Sequence, residues 1–471
     1  MDKKILKKLA ALTMAVCMMT GVSVITASAA DISAAAYVSA AVSGDFSTSV
    51  NRDGTITIVK YNGSDTNIKI PSSINGVNVT VIGSQAFSGR RNITDITIPS
   101  SVTTIEADAF NGCSSIKMLF IPKNVKSIDS SAFMGCTSLF AVNVSAANPS
   151  FSSENGVLFN KNKTVLVAYP AGRSGIYTVP STVDTIGDKA FSENSSLESV
   201  TIPDSVKTIG YNAFDYCTNL RKVRMSSTLT ALKTGAFNGC RSLTSITLPD
   251  TLTVLERNAF SGCRSLRSII IPKKITFLDF SLFEGCTSLR YIYLPNGLKN
   301  IYPSVFDRCT SLVSVRLPYT LEKVYSLAFN GCSQLKNMTV AGKTTVLDTL
   351  AFNGCGSMTI YGKSGSAAEK RAGQLGIPFS AKAAPALSLS DITSKGRVIS
   401  VKAKAVDGKA PYYYSVLYRA DGDQKFTSVQ SFSSNTAIKF KVPKSGSYTI
   451  RVKVKDSSSR ITYTDQKVYC A

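Results

Sequence analysis

Phenylalanine recurs at a fixed interval through most of this 471-residue chain. Phe87, Phe110 and Phe133 form one run, and Phe191, Phe214, Phe237, Phe260, Phe283, Phe306, Phe329 and Phe352 form a second, with every step inside each run 23 residues long. A period of this length makes each repeat one supersecondary unit, which cannot bury its apolar face alone and must stack on copies of itself. The expected fold class is a β-rich repeat solenoid, and the regularity argues against an enzyme.

Aligned copies follow the pattern Cys-x-Ser-Leu-x-x-Ile-x-Leu-Pro-x-x-Leu-x-x-Ile-x-x-x-Ala-Phe-x-Gly, as from Cys240 to Gly262. Side chains alternate along a strand, so Leu243, Ile246 and Leu248 are expected to point inward while Ser245 and Thr247 point outward. Pro249 and its counterparts Pro203, Pro272, Pro295 and Pro318 then end the ladder by removing a backbone donor. A second short run, Leu252-x-x-Leu255 in this copy, crosses back toward the Ala-Phe pair. Alanine there leaves room for the next coil, and the phenylalanines are expected to stack through the core as a spine.

The Ile-Pro…Ile…Ala-Phe-x-Gly-Cys-x-x-Leu signature and its period resemble the BspA-type leucine-rich repeat of bacterial surface proteins, over roughly Gly44 to Ser380. That resemblance implies a secreted or surface-displayed protein acting by non-catalytic protein binding, often in adhesion to host components.

Composition narrows the chemistry. The chain has no histidine and no tryptophan, so a mechanism needing an imidazole base or a histidine metal ligand is excluded. Paired-carboxylate glycosidase chemistry survives that filter, but no acid pair stands out. Asp421 and Asp423 are too few for a calcium loop. No catalytic residue, cofactor or metal site is expected.

Lys3, Lys4, Lys7 and Lys8 precede an apolar stretch ending in Ala27-Ser28-Ala29, the form of an export signal over residues 1–29. Cys17 follows Val16 rather than a small residue, which weighs against lipid attachment. No later stretch approaches the length of a membrane span. The chain carries a formal +23, and its residues after the signal carry 49 basic against 29 acidic side chains, or +20. Such a secreted protein should adhere to anionic polymers such as cell-wall phosphates or sulfated or sialylated glycans. Retention at the cell surface would then be non-covalent.

Nine cysteines, Cys113, Cys136, Cys217, Cys240, Cys263, Cys286, Cys309, Cys332 and Cys355, sit three residues after the spine phenylalanines. Equivalent side chains of stacked coils run parallel and nine cannot pair completely. Arg90 and Asn194 fill the same slot elsewhere, so buried thiols are expected there rather than disulfides. Cys470 stands apart.

The run breaks between Phe133 and Phe191, where GVLFNKNKTVLVAYP predicts a β-hairpin turning at Asn160–Lys163 inside an irregular insertion over about 145–180. Residues 30–43 read as a flexible lead, and 44–380 as the solenoid with its caps. Near its end Ser366 and Glu369 have capping-box spacing, with Gly376 and Pro378 placed to stop a short helix. An alanine-rich linker follows over 381–389. Residues 390–471 alternate as strands of a small β-sandwich, resembling immunoglobulin-like or fibronectin-III-like accessory domains. Residues 384–471 hold fifteen basic and six acidic side chains.

Ligand specificity is expected at the outward strand positions. Most are small and polar, Asp95 and Thr97 or Ser245 and Thr247 for example, while Met118 and Phe120 also fall at outward positions. Departures concentrate at Lys222, Arg224, Ile270, Tyr291, Tyr293 and Arg316, which read as a basic, aromatic candidate surface for a protein or glycan. The alternatives are a carbohydrate-binding accessory protein using Tyr291 and Tyr293, and a structural surface-coat component.

Overall fold

The computed structural model describes residues 41–381, 387–405, 411–455, 457 and 461–470. The export signal with Cys17, most of the lead over 30–43 and part of the linker lie outside the described residues. The chain is a β-solenoid followed by antiparallel β-sheets. It divides into two compact units, residues 1–289 with 304–309, and residues 290–303 with 310–471.

In the first unit, two-residue strands stack in parallel at the period of the sequence. Thr185 lies beside Thr208, then Ala231, then Val254, while Ile186, Ile209, Leu232 and Leu255 form the buried column next to them. Outer strands stack in the same sense: Met118–Ile121 beside Ala141–Val144, and Gly175–Thr178 beside Leu197–Thr201 and Lys222–Arg224. The copy from Cys240 keeps the expected alternation, with Leu243, Ile246 and Leu248 buried and Ser245 and Thr247 exposed, yet residues 244–248 form no strand of the ladder. Each ladder-ending proline also opens a turn. The carbonyls of Pro203, Pro249 and Pro272 accept from Val206, Leu252 and Ile275, all at 3.1 Å.

The phenylalanine spine is present. Rings of Phe191, Phe214, Phe237, Phe260, Phe283 and Phe306 follow one another at 4.6–5.7 Å with planes within 14° of parallel. Phe87, Phe110 and Phe133 stack similarly at 5.4 and 6.1 Å. Tyrosines begin both runs: Tyr61 stacks on Phe87 at 5.7 Å and Tyr169 on Phe191 at 4.9 Å.

The repeat cysteines are thiols, as is Cys470. In the repeat copies Sγ donates to the carbonyl of the spine phenylalanine one coil back, as from Cys113 to Phe87, Cys217 to Phe191 and Cys263 to Phe237, all at 3.1 Å. Arg90 and Asn194 perform the same task with other donors. Asn194 Nδ2 reaches the Pro170 carbonyl at 3.2 Å, and the Arg90 guanidinium reaches the carbonyls of Tyr61 and Gly63.

The insertion is a three-stranded antiparallel meander, Phe151–Glu154, Val157–Asn160 and Val165–Ala168. Its last strand pairs in parallel with Thr185 and Ile186, so the hairpin restarts the inner column. Leu158, Phe159 and Leu166 are fully buried, which builds the insertion into the stack.

The second unit has an inner and an outer column of its own, with Asn300–Ile301, Lys323–Val324 and Val346–Leu347 inside and Ser314–Leu317, Asn337–Val340 and Thr359–Tyr361 outside. A helix, Ala367–Leu375, follows. Ser366 caps it by accepting from the Glu369 amide at 3.3 Å, and the Glu369 carboxylate in turn accepts from the Gly365 amide at 2.6 Å. Gly376 ends the helix at φ 66°, a left-handed conformation that favours glycine. Ala368 and Ala372 face the last coil, and the Ala367 amide donates to the Lys343 carbonyl at 3.1 Å.

Seven further strands form two antiparallel sheets. Leu387–Lys395, Val398–Ala405 and Ala437–Lys441 make one, and Thr427–Ser433, Tyr413–Ala420, Gly446–Lys455 and Ile461–Cys470 the other. Between them lie Ile399, Val401, Val416, Ile450, Val452 and Val454.

Candidate ligand-binding face

Outward positions of the outer strands are spaced by the coil repeat, so side chains at equivalent positions stand in columns about 4.8 Å apart. Lys222 and Arg224 are exposed on the first unit, in register with Ser199 and Thr201 of the preceding coil. Ile270, on the same unit, is 41% exposed. Its column neighbour Thr247 is small and exposed, so the isoleucine stands above a polar surround.

The remaining three predicted residues belong to the second unit. Tyr291 and Tyr293 flank buried Ile292 and are half-buried, as outward positions between neighbouring coils should be. The Arg290 guanidinium lies 5.6 Å from the centre of the Tyr291 ring, within range of a cation–π contact. Tyr291 is in register with Ser314, which leaves a small neighbour beside the ring. Arg316 is half-buried rather than exposed. Burial lowers the pKa of its guanidinium, and the Tyr412 hydroxyl opposes that shift. Thr339, in register with it on the next strand and outward by alternation, is buried.

Two groups of residues were missed by reading outward strand pairs for charge and tyrosine. Met118 and Phe120 are each 55% exposed and Phe140 is 60% exposed, an apolar patch on two successive coils. Arg173 lies 4.9 Å from the Phe140 ring centre and donates to the Asn155 carbonyl at 2.7 Å, which ties the patch to the insertion. Asn143 Nδ2 approaches Met118 Sδ at 3.1 Å. Met118 and Phe120 were legible as outward residues. Phe140 precedes its strand and was not.

The second group is basic. Arg221, Arg241, Arg264 and Arg267 are exposed on the first unit beside Lys222 and Arg224. They occupy the first residue after the cysteine slot or the first after the leucine, outside the alternating pair. Among the described residues no cluster of three or more metal-ligating side chains occurs.

The family profile described as BspA type Leucine rich repeat region matches residues 60–164, 175–289 and 231–359, in six copies. Among solved structures, a leucine rich cell surface protein from Faecalibacterium prausnitzii is 26% identical, with 54% of this chain and 94% of that one covered and a TM-score of 0.40. A leucine-rich repeat protein from Eubacterium ventriosum is 23% identical over 61% of this chain and 93% of that one, with a TM-score of 0.45. The pneumococcal vaccine antigen PcpA is 20% identical over 74% of this chain and 99% of that one, with a TM-score of 0.36. No curated protein matches the chain.

Proposed function

The chain belongs to the BspA-type leucine-rich repeat family, and from that premise we propose that it is a secreted protein which binds a host, matrix or cell-wall macromolecule without catalysis. The observation carrying this reading is the outer strand surface. Its columns are mostly small and polar, and large basic and apolar side chains stand out of them at Lys222, Arg224, Ile270, Met118 and Phe120. Exposed groups of that kind on a rigid scaffold suit recognition of a surface larger than a small molecule. Among the described residues no helix is long and apolar enough to cross a membrane, and the N-terminal sequence has the form of an export signal.

Residues 44–380 are proposed as the recognition solenoid and 390–471 as an accessory β-sandwich joined by the 381–389 linker. Two features support an immunoglobulin or fibronectin-III likeness for the latter. Its strands run first, second and fifth in one sheet, and fourth, third, sixth and seventh in the other. The Tyr448 hydroxyl, near the start of the sixth strand, donates to the Lys444 carbonyl at 2.9 Å, as in a tyrosine corner. The basic excess of this part would favour non-covalent retention on an anionic wall.

A second reading is a carbohydrate-binding accessory role through Tyr291 and Tyr293, favoured by two ring side chains on one strand with Arg290 against the first. The test for both is retention of the mature protein on mucin, matrix proteins, insoluble polysaccharides and purified cell wall, washed at low and then high salt. Retention on one polymer through high salt supports a shaped site. Broad retention abolished by salt reduces the interaction to net charge. No retention on any of them overturns the reading.

A further inference from the structure

Within the first unit, the coils that begin at Cys217, Cys240 and Cys263 carry a basic group distinct from the general charge of the chain. Arg221, Lys222 and Arg224 stand on the first of these coils, and Arg264 and Arg267 on the third; all five are exposed. The middle coil adds exposed Arg241 at its entry, then only exposed Thr244, Ser245 and Thr247 across the face. Backbone bonds fix the alignment. Ser242 donates to the Thr218 carbonyl at 3.2 Å, Ser265 to Arg241 at 3.1 Å and Arg267 to Thr244 at 3.2 Å. Arg241 and Arg264 therefore share one column on adjacent coils. Arg221 and Arg267 share another, two coils and thus about 9.6 Å apart, with Thr244 between them.

Small hydroxylated residues between two basic rims make a shallow trough across the coils. Nearby acids are few: Glu198 precedes Arg221 in its column, Asp250 past the end of the middle coil's face pairs with Lys273 at 3.6 Å, and Arg224 is close enough to help lower the pKa of Asp204, after the hydrogen bonds from Ser227. Five of the six cations are arginines, whose planar fork pairs two N–H groups with two oxygens of one oxyanion. Rim separation across one intervening coil is comparable to the disaccharide repeat of an extended glycan, and the threonine and serine hydroxyls lie where sugar hydroxyls would. Among the described column residues of these three coils none is aromatic, so the stacking that single-stranded nucleic acid uses is lacking in the trough.

We infer that this trough is a binding site for a linear sulfated glycan, with the arginine forks on the sulfates and the middle-coil hydroxyls on the sugar. The inference rests on the strand face being the binding surface and names the ligand class for one part of it.

The test uses the full mature chain and a size-defined heparin oligosaccharide, with affinity measured across a salt series. Arg221→Gln, Arg241→Gln, Arg264→Gln and Arg267→Gln combined should weaken binding about tenfold or more and flatten the salt dependence. Lys425→Gln, Lys439→Gln, Lys441→Gln and Lys444→Gln combined remove the same charge from the C-terminal sheets and should leave affinity within about twofold. Arg241→Lys with Arg264→Lys keeps the charge and should still lose affinity. Circular dichroism melting confirms that each variant folds. Equal losses in both quadruple variants would overturn the inference in favour of net charge. So would equal binding of the desulfated oligosaccharide, of a glycerol-phosphate polymer or of single-stranded DNA. Arginine changes without effect, while the chain still loses another polymer on Tyr291→Ser and Tyr293→Ser, overturn this inference alone. If no strand-face change affects retention on any polymer, the proposed function falls as well.

Discussion

The thiol of Cys240 donates to the carbonyl oxygen of Phe214, 26 residues earlier, at 3.1 Å. The same carbonyl accepts from the Cys217 amide at 3.2 Å, so the thiol adds a second donor to a buried acceptor, and the sulfur fills space that a hydroxyl would leave open. It recurs from Cys286 to Phe260 and from Cys355 to Phe329.

Burial holds these thiols protonated. Desolvation pushes Cys113 and Cys263 up to about 12 from an ordinary value of 9.0. In the folded protein they should not react with a disulfide reagent at pH 8, while the unfolded chain exposes them all; rapid labelling without denaturant would contradict the assignment. Because the folded value is raised, the thiols' contribution to stability is complete below pH 9 and is lost as pH climbs from 9 through 12. Denaturation midpoints measured across that range check the sign.

Phe260 is fully buried between Phe237 and Phe283, each 5.7 Å away. Phe260→Ala should cost roughly 3–5 kcal/mol, because it removes a ring from both stacks and leaves a cavity. Urea unfolding of the variant measures this, and an unchanged midpoint would exclude a buried spine.

Glu256 accepts from Lys233 Nζ, the Thr234 amide and the Thr234 hydroxyl, each at 2.9 Å. Burial raises its pKa, but these three donors outweigh burial and the net value falls below 4.5. Its contribution is therefore present above pH 4.5 and lost as pH drops through the lowered value. Glu256→Gln should cost about 1 kcal/mol at pH 7, the partial exposure of the pair keeping it small, and little at pH 3. A deficit that stays constant with pH would mean that packing, not charge, is what the substitution removes.

Tyr291→Ser with Tyr293→Ser should leave the melting temperature within a few degrees, since both side chains are only half-buried on their strand. The same pair should reduce salt-resistant retention on whichever polymer the wild-type chain selects. Retention indifferent to the change would remove these tyrosines from the binding face.

Where residues obey the period, the fold was legible: the spine, the thiol slot, the alternation around Ile246 and the Ser366–Gly376 helix all follow from spacing and local chemistry. Tyr61 and Tyr169 were not, because they stand 26 and 22 residues before their stacking partners and a 23-residue template passes over them. The face was read less fully. Strand alternation places Arg316 and Thr339 outward, but solvent exposure also depends on what covers a position, and both are more buried than alternation alone suggests. Phe140, Arg241 and Arg264 precede the alternating segments of their coils, where a period of two says nothing about direction.

The thiol bond also bears on how such a chain can change in length. The Cys240 thiol addresses the coil before it, and the Phe214 carbonyl serves the Cys217 amide of its own coil and the thiol of the coil after. Duplication or loss of one 23-residue segment would join the same kinds of atoms across the new junction as across the old. The extent of the surface is thus a free variable of the gene, adjustable in steps of one coil while the interior stays as it was.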